Sequence, residues 1–238
     1  MNYYYYKNED AKKTIVLLHG WGVDSSYMNS LKDYLKKYYS ILLVDLPGHG
    51  KSKLSKPYKI QDYIDELFFL ITKENIKSFY GIGHSFGGKI LSFYALKYKI
   101  DGGILIAPSS YKSKFSLIKF IKIRLYKVFK LLRLPLPKSL RGSRDYINAK
   151  GYKRMTFLNV YNKYLKKKEL RKIKTPFVIM GFEEDAEIKK YQLKKLRKYL
   201  FNSKLYFYKG NHFSYFDYYK EIRLHLMLLE REKNDINI

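Results

Sequence analysis

The residues best suited to chemistry are Gly83-His84-Ser85-Phe86-Gly87-Gly88, set between a short apolar run, Ser78 to Ile82, and a helix-like segment, Lys89 to Tyr98. Gly-x-Ser-x-Gly between a strand and a helix is the pattern of a nucleophile elbow. A serine on so sharp a turn takes a strained backbone conformation, and its neighbours two residues away must lack bulk, which Gly83 and Gly87 satisfy. The turn would lift Ser85 Oγ above the sheet edge and aim the N-terminus of the next helix at a reacting carbonyl. An ordinary glycine-rich turn is the competing reading of the same residues.

A serine hydroxyl is a poor nucleophile unless a base takes its proton, and the base needs an acid to fix its tautomer. The histidines are His19, His49, His84, His212 and His225. The first three sit in glycine turns, where His84 reads as structural and His49 as a loop residue, and His225 lies mid-helix, satisfied locally. His212, in Lys209-Gly210-Asn211-His212-Phe213, follows the last predicted strand and can reach the carboxyl ends of the strands, where sites in such sheets gather. The acids of Met180-Gly181-Phe182-Glu183-Glu184-Asp185 follow the preceding strand and share that edge. Asp45, in another strand-end loop, reads as a loop-fixing carboxylate.

Strands and helices alternate at regular intervals around these residues. Thr14 to Leu18, Ile41 to Val44, Gly103 to Ile106 and Pro176 to Met180 are continuous apolar runs, as strands buried on both faces require. Tyr3 to Tyr6 and Lys204 to Tyr208 read as further strands. Helices are expected from Ser25 or Ser26 as cap to about Lys37, from Ile60 to Lys73, Ile188 to Leu200 and Ser214 to Glu230. This argues an α/β fold on a mostly parallel sheet of about seven or eight strands. No internal repeat or low-complexity linker interrupts it.

The alternation stops at Ser109 and resumes at Thr175, dividing the chain into a core, 1–109 with 173–238, and a helical cap inserted at 110–172. Within the cap, 115–134 forms an amphipathic helix. Leu117, Ile118, Ile121, Leu125, Val128, Phe129 and Leu132 make its apolar stripe, with Lys119, Lys122, Arg124, Lys127, Lys130 and Arg133 opposite. A helix covering the site with a solvated basic face is the leading expectation. Peripheral contact with an anionic membrane is the second. Nucleic-acid binding is not expected, because no groove-reading motif accompanies the charge.

The chain of 238 residues carries 48 Lys and Arg against 21 Asp and Glu, a net charge of +27. Abundant Lys, Tyr, Asn and Ile suit an AT-rich genome, yet Tyr111 to Lys174 alone holds 21 basic residues and only two acids, Asp145 and Glu169. The excess is local to the cap. With no cysteine there is no disulfide or thiolate metal site, and no metal or organic cofactor is implied. The N-terminus lacks an apolar signal core, and no run of about 18 apolar residues occurs, so a soluble cytoplasmic protein is expected.

The chain resembles the α/β-hydrolase fold family, in its serine esterase and lipase group. The resemblance rests on His19-Gly20-Trp21, on Asp45-Leu46-Pro47-Gly48-His49-Gly50-Lys51-Ser52, on the elbow and on Gly210-Asn211-His212. The order Ser, acid, His is that of the family. It implies Ser85 as nucleophile, His212 as base and an oxyanion hole from the backbone N–H groups of Trp21 and Phe86. The family's spacing after the strand-ending glycine points to Glu184, whereas Asp185-Ala186-Glu187-Ile188 better fits the usual aspartate and its trailing aliphatic residue, so Asp185 is favoured with Glu184 as the alternative. The implied activity is cleavage of carboxylic or related acyl esters through an acyl-enzyme, with no cofactor. The apolar cap favours an apolar small-molecule ester, and its basic surface could steer anionic ones. A thioesterase, a carbon–carbon bond hydrolase and a non-catalytic membrane- or partner-binding protein are the alternatives.

Overall fold

The computed structural model describes residues 1–113, 117–135, 137 and 143–236. Its centre is built from the fully apolar runs: β2 (Thr14–Leu18), β3 (Ser40–Asp45), β4 (Phe79–His84), β5 (Gly102–Ile106) and β6 (Phe177–Phe182). The half-buried strands β1 (Asn2–Tyr6) and β7 (Ser203–Tyr208) form the two edges. Among the described residues the sheet has seven strands in the order β1-β3-β2-β4-β5-β6-β7, and only β1, paired with β3, is antiparallel.

Side chains alternate across each strand and so feed two helical layers. Ile15 and Leu17 of β2 face Leu31 and Leu35 of α1 (Asn29–Leu35) and Ile222 and Leu226 of α9 (Tyr219–Ile236). Val16 and Leu18 face the opposite layer, made by α2 (Ile60–Lys73), α3 (Phe86–Lys97) and, further along the sheet, α8 (Lys190–Tyr199). A short 3-10 turn, Ser25–Met28, precedes α1, and its cap is Asp24, not either expected serine. The Asp24 carboxylate accepts from Ser26 N at 2.9 Å, a stronger acceptor than a hydroxyl at the same place.

Among the described residues four helices join β5 to β6: α4 (Leu117–Leu131), α5 (Arg144–Asn148), α6 (Gly151–Tyr161) and α7 (Lys167–Leu170). The expected start of the first of them, Phe115, lies outside the described residues, as do the side chains of Leu117, Ile118 and Lys119. The helix that packs on the body is α6. It buries Thr156, Phe157 and Val160, Thr156 Oγ1 accepts from Tyr58 N at 2.8 Å, and Asn159 Nδ2 donates to the Tyr58 carbonyl at 3.1 Å. The apolar stripe of α4, expected to lie over the site, is mostly exposed where described: Phe129 is half-buried, but Leu125 and Val128 are about half open, and Leu131 in the same helix is 81% exposed.

Register brings the strand ends to one edge. Leu18 of β2 is opposite Gly83 of β4, His84 opposite Ile106 of β5, and Phe182 of β6 opposite Tyr208 of β7. The residues that follow these strands therefore emerge side by side.

Candidate active site

Ser85 leaves β4 and enters α3 with φ +50° and ψ −106°, a left-handed conformation that a residue with a Cβ adopts only under constraint. The two glycines explain how. A Cβ on Gly83 would stand 2.6 Å from the Gly87 carbonyl, and one on Gly87 would collide with the Leu18 carbonyl of β2. Backbone bonds lock the turn: Ser85 N donates to the Ile106 carbonyl at 2.8 Å, and the Ser85 carbonyl accepts from Lys89 N and Ser109 N, each at 3.1 Å. The hydroxyl takes part in none of these. It opens onto a cavity of about 630 Å³ lined also by Trp21, Lys89, Phe157, Glu187 and His212.

His212 is buried at the same cavity, in the loop after β7, and its Nδ1–H donates to Asp185 Oδ2 at 2.8 Å. The other oxygen, Oδ1, accepts from Glu187 N at 2.7 Å and Ile188 N at 2.8 Å. Burial alone would raise the Asp185 carboxyl, but the His212 bond and the two backbone N–H groups outweigh it and hold the group below its ordinary range. Glu184, the alternative, is exposed and contributes a backbone bond, its N–H donating to the Gly210 carbonyl at 3.0 Å. With Nδ1 carrying the proton, Nε2 presents a lone pair. In this structure that nitrogen faces the Glu187 carboxylate at 3.4 Å.

Two other histidines hold peptide groups in place. His84 Nε2–H donates to the His212 carbonyl at 2.9 Å, joining the turn at Ser85 to the loop after β7, with the two rings 4.7 Å apart. Complete burial and the neighbouring His212 push its pKa down to about 3, so it is neutral. His19 Nε2 accepts from Leu46 N at 3.0 Å, which leaves Nδ1–H to donate to the Gly20 carbonyl at 2.7 Å. Burial lowers this pKa also. Because a trans peptide points its C=O and N–H in opposite directions, anchoring the Gly20 carbonyl aims the Trp21 N–H away from His19. Among the described residues that N–H meets no protein acceptor, and the Phe86 N–H, first in α3, has no partner within its helix.

The remaining candidates are structural. Asp45 accepts from Ser25 N, Lys51 N and Asn2 Nδ2 at 3.0, 2.9 and 3.1 Å, tying three segments to one carboxylate. His49 donates through Nδ1 to the Pro47 carbonyl at 3.2 Å and stacks edge-on against the Trp21 ring. His225 pairs with the Tyr208 hydroxyl at 2.6 Å. Among the described residues no group of three His, Asp or Glu side chains is placed to hold a metal ion.

Three features of the cavity escaped the sequence. Phe157 of α6 packs edge-on against Trp21, with ring centroids 5.3 Å apart, and forms one wall. Glu187 faces the His212 ring. Lys89, one turn along α3 from Ser85, is only 3% exposed. A lysine in a helix ordinarily reads as surface, and the signal that it is not lies in α6, which closes over it.

A model of the alpha/beta hydrolase family matches residues 15–222. Pimeloyl-(acyl-carrier protein) methyl ester esterase of Photorhabdus laumondii is 31% identical over 108 residues, 44% of this chain and 40% of that protein. Putative esterase/lipase 3 of Mycoplasma pneumoniae is 35% identical over 127 residues, 50% of this chain and 43% of that protein. The chain thus spans less than half the length of these curated relatives. Among solved structures, MenH from S. aureus superposes with a TM-score of 0.72 at 20% identity, covering 98% of both chains, a likeness of fold.

Proposed function

The chain belongs to the alpha/beta hydrolase family, and from that premise we propose that it is a serine hydrolase acting on carboxylic esters. Ser85 Oγ attacks the acyl carbonyl as its proton passes to His212 Nε2. Asp185 keeps the ring in the required tautomer and stabilises the imidazolium. The N–H groups of Trp21 and Phe86 receive the charge that develops on the carbonyl oxygen. As the tetrahedral intermediate collapses, the carbon–oxygen bond to the alcohol breaks and His212 returns the proton to that alcohol. Water then attacks the acyl-Ser85 carbonyl with the same imidazole as base, releasing the acid and restoring the serine. The α5–α6 segment acts as the cap that walls the substrate.

The observation that carries this reading is the 2.8 Å bond from His212 to Asp185 at the cavity onto which the strained Ser85 opens. Esterase names among the relatives favour an oxygen ester over the other bonds this chemistry can cleave. The test is labelling by a fluorophosphonate probe together with a p-nitrophenyl ester chain-length series run beside matched acyl thioesters. The wild type is expected to label and to prefer the oxygen esters, with label lost in Ser85→Ala and kcat reduced on the order of 10⁶-fold in Ser85→Ala or His212→Ala. A preference for thioesters moves the assignment to a thioesterase. An unlabelled, inactive wild type ends the enzymatic reading.

A second role belongs to α4. The exposed Leu125, Val128 and Leu131, alongside exposed Lys122, Lys127 and Lys130, support peripheral contact with an anionic membrane surface. No helix among the described residues is long and apolar enough to cross a membrane. Co-sedimentation with phosphatidylserine vesicles should survive Ser85→Ala and fail when the three lysines become glutamine. Equal binding to neutral vesicles, or none, rejects it.

A further inference from the structure

Lys89 is a buried cation with no counter-charge. Its Nζ donates to the carbonyls of Val160 and Tyr161, at 3.2 and 3.3 Å, in the last turn of α6, and lies 4.6 Å from the centre of the Tyr164 ring. Among the described residues no carboxylate pairs with it, and the two carbonyls and the Tyr164 ring offset its burial only in part, for burial pushes its pKa down to about 7. Two carboxylates, Glu187 and Asp145, line the same cavity. Glu187 faces His212, while Asp145 and Lys153 lie near enough to act on one another. Burying an ammonium without an anion costs several kcal/mol, and a site that served only apolar esters would do better with a methionine there. Two carbonyl bonds also leave one of the three N–H donors unused. That donor belongs to a side chain lining the same cavity as the Ser85 hydroxyl.

We propose that Lys89 Nζ is an anion-recognition point within the substrate cavity, and that the preferred substrates are esters whose acyl part carries a second, free carboxylate. A single remaining donor suits one carboxylate oxygen, whereas a phosphate dianion asks for several. The ligand carboxylate supplies the counter-charge that the chain lacks, and in doing so seats the scissile carbonyl at the elbow one turn above. The basic surface of 111–174 draws such an anion toward the cavity. The proposal rests on the ester-hydrolase reading for its substrate and on the cavity alone for its ligand, and the experiment separates the two.

The kinetic arm compares mono-p-nitrophenyl glutarate and adipate with neutral p-nitrophenyl esters of the same length. Wild type should favour the hemiesters in kcat/KM, and Lys89→Met or Lys89→Gln should lower that preference about 30-fold, with KM for the hemiesters carrying most of the change. The binding arm uses Ser85→Ala, which needs no turnover: glutarate or adipate should raise its melting temperature, and the Ser85→Ala/Lys89→Met double variant should lose the shift. Either substitution removes a buried charge, so a folded protein is expected, and circular dichroism checks it. Binding without turnover would sink the hydrolase and keep the anion site. Hemiesters and neutral esters falling equally in both variants would make Lys89 a clasp for α6 alone and overturn the proposal. So would a stronger response to inorganic phosphate than to the dicarboxylates, or a wild type indifferent to the second charge.

Discussion

His19 and His84 are neutral, buried, and each donates its one ring proton to a main-chain carbonyl, Gly20 in one case and His212 in the other. Neither ring has to meet the substrate to matter. His19→Asn should lower kcat by about 10- to 100-fold with little change in KM, because the Trp21 N–H loses its aim while the cavity keeps its shape. A change confined to KM would count against that positioning role. Asp185 can be separated from its neighbour in the same way. Asp185→Asn should reduce kcat on the order of 10⁴-fold, by analogy with the serine-protease triad, while Glu184→Gln leaves it unchanged. If the two variants behave alike, the acid has been misassigned. Part of this was legible beforehand. The Ser85 turn and the His212 loop follow from residue type and strand order, whereas the preference for Asp185 over Glu184 rests on the family resemblance, and in the structure Asp185 is the acid bonded to His212. The donor roles of His19 and His84 were not legible, since they depend on tautomers set by partners 27 and 128 residues away.

Among the elements, α4 and α6 exchange the parts that amphipathic patterning suggests. The α4 segment has the wider apolar stripe, yet Ile121, Leu125, Val128 and Leu131 stay open to solvent. The α6 helix has a weak pattern and buries only Thr156, Phe157 and Val160, but it reaches the body through polar bonds that periodicity does not register: Thr156 and Asn159 to the Tyr58 backbone and Lys89 to its C-terminal carbonyls. Periodicity reports how much surface a helix wants to hide, and says nothing of where a donor waits for it. Thr156→Val should leave the Tyr58 N–H unpaired and cost about 1 to 3 kcal/mol in urea unfolding. Phe157→Ala should widen the wall beside Trp21 and move the chain-length optimum toward longer acyl groups; an unchanged optimum would place the acyl chain elsewhere in the cavity.

Taken whole, the molecule should be acid-sensitive for a reason its net charge conceals. His49 and His84, both with pKa values pushed down to about 3 chiefly by burial, stay neutral when folded and regain the ordinary value of about 6.5 on unfolding. The unfolded chain therefore binds more protons between those limits. Stability present above pH 6.5 is lost as pH falls toward 3, by up to about 1.4 kcal/mol per pH unit for each ring. Lys89, lowered to about 7 by burial, obeys the same rule at the other end, so stability should rise between about pH 7 and 10. Urea midpoints across pH 4 to 10 test both, with His49→Gln flattening the acid limb and Lys89→Met the alkaline one. Unaltered limbs would assign the pH dependence to general charge repulsion.

The bond from the His84 ring at the end of β4 to the main chain of the last loop has a temporal side. His84 and the His212 carbonyl are separated by 128 positions, so their contact closes more than half the chain into one loop and forms only once distant segments have met. Reactivity at Ser85 should thus switch on late during refolding, after helical signal has recovered. A fluorophosphonate added at successive delays would then act as a clock for the final docking event, marking the moment when the Ser85 turn and the His212 loop first share an address.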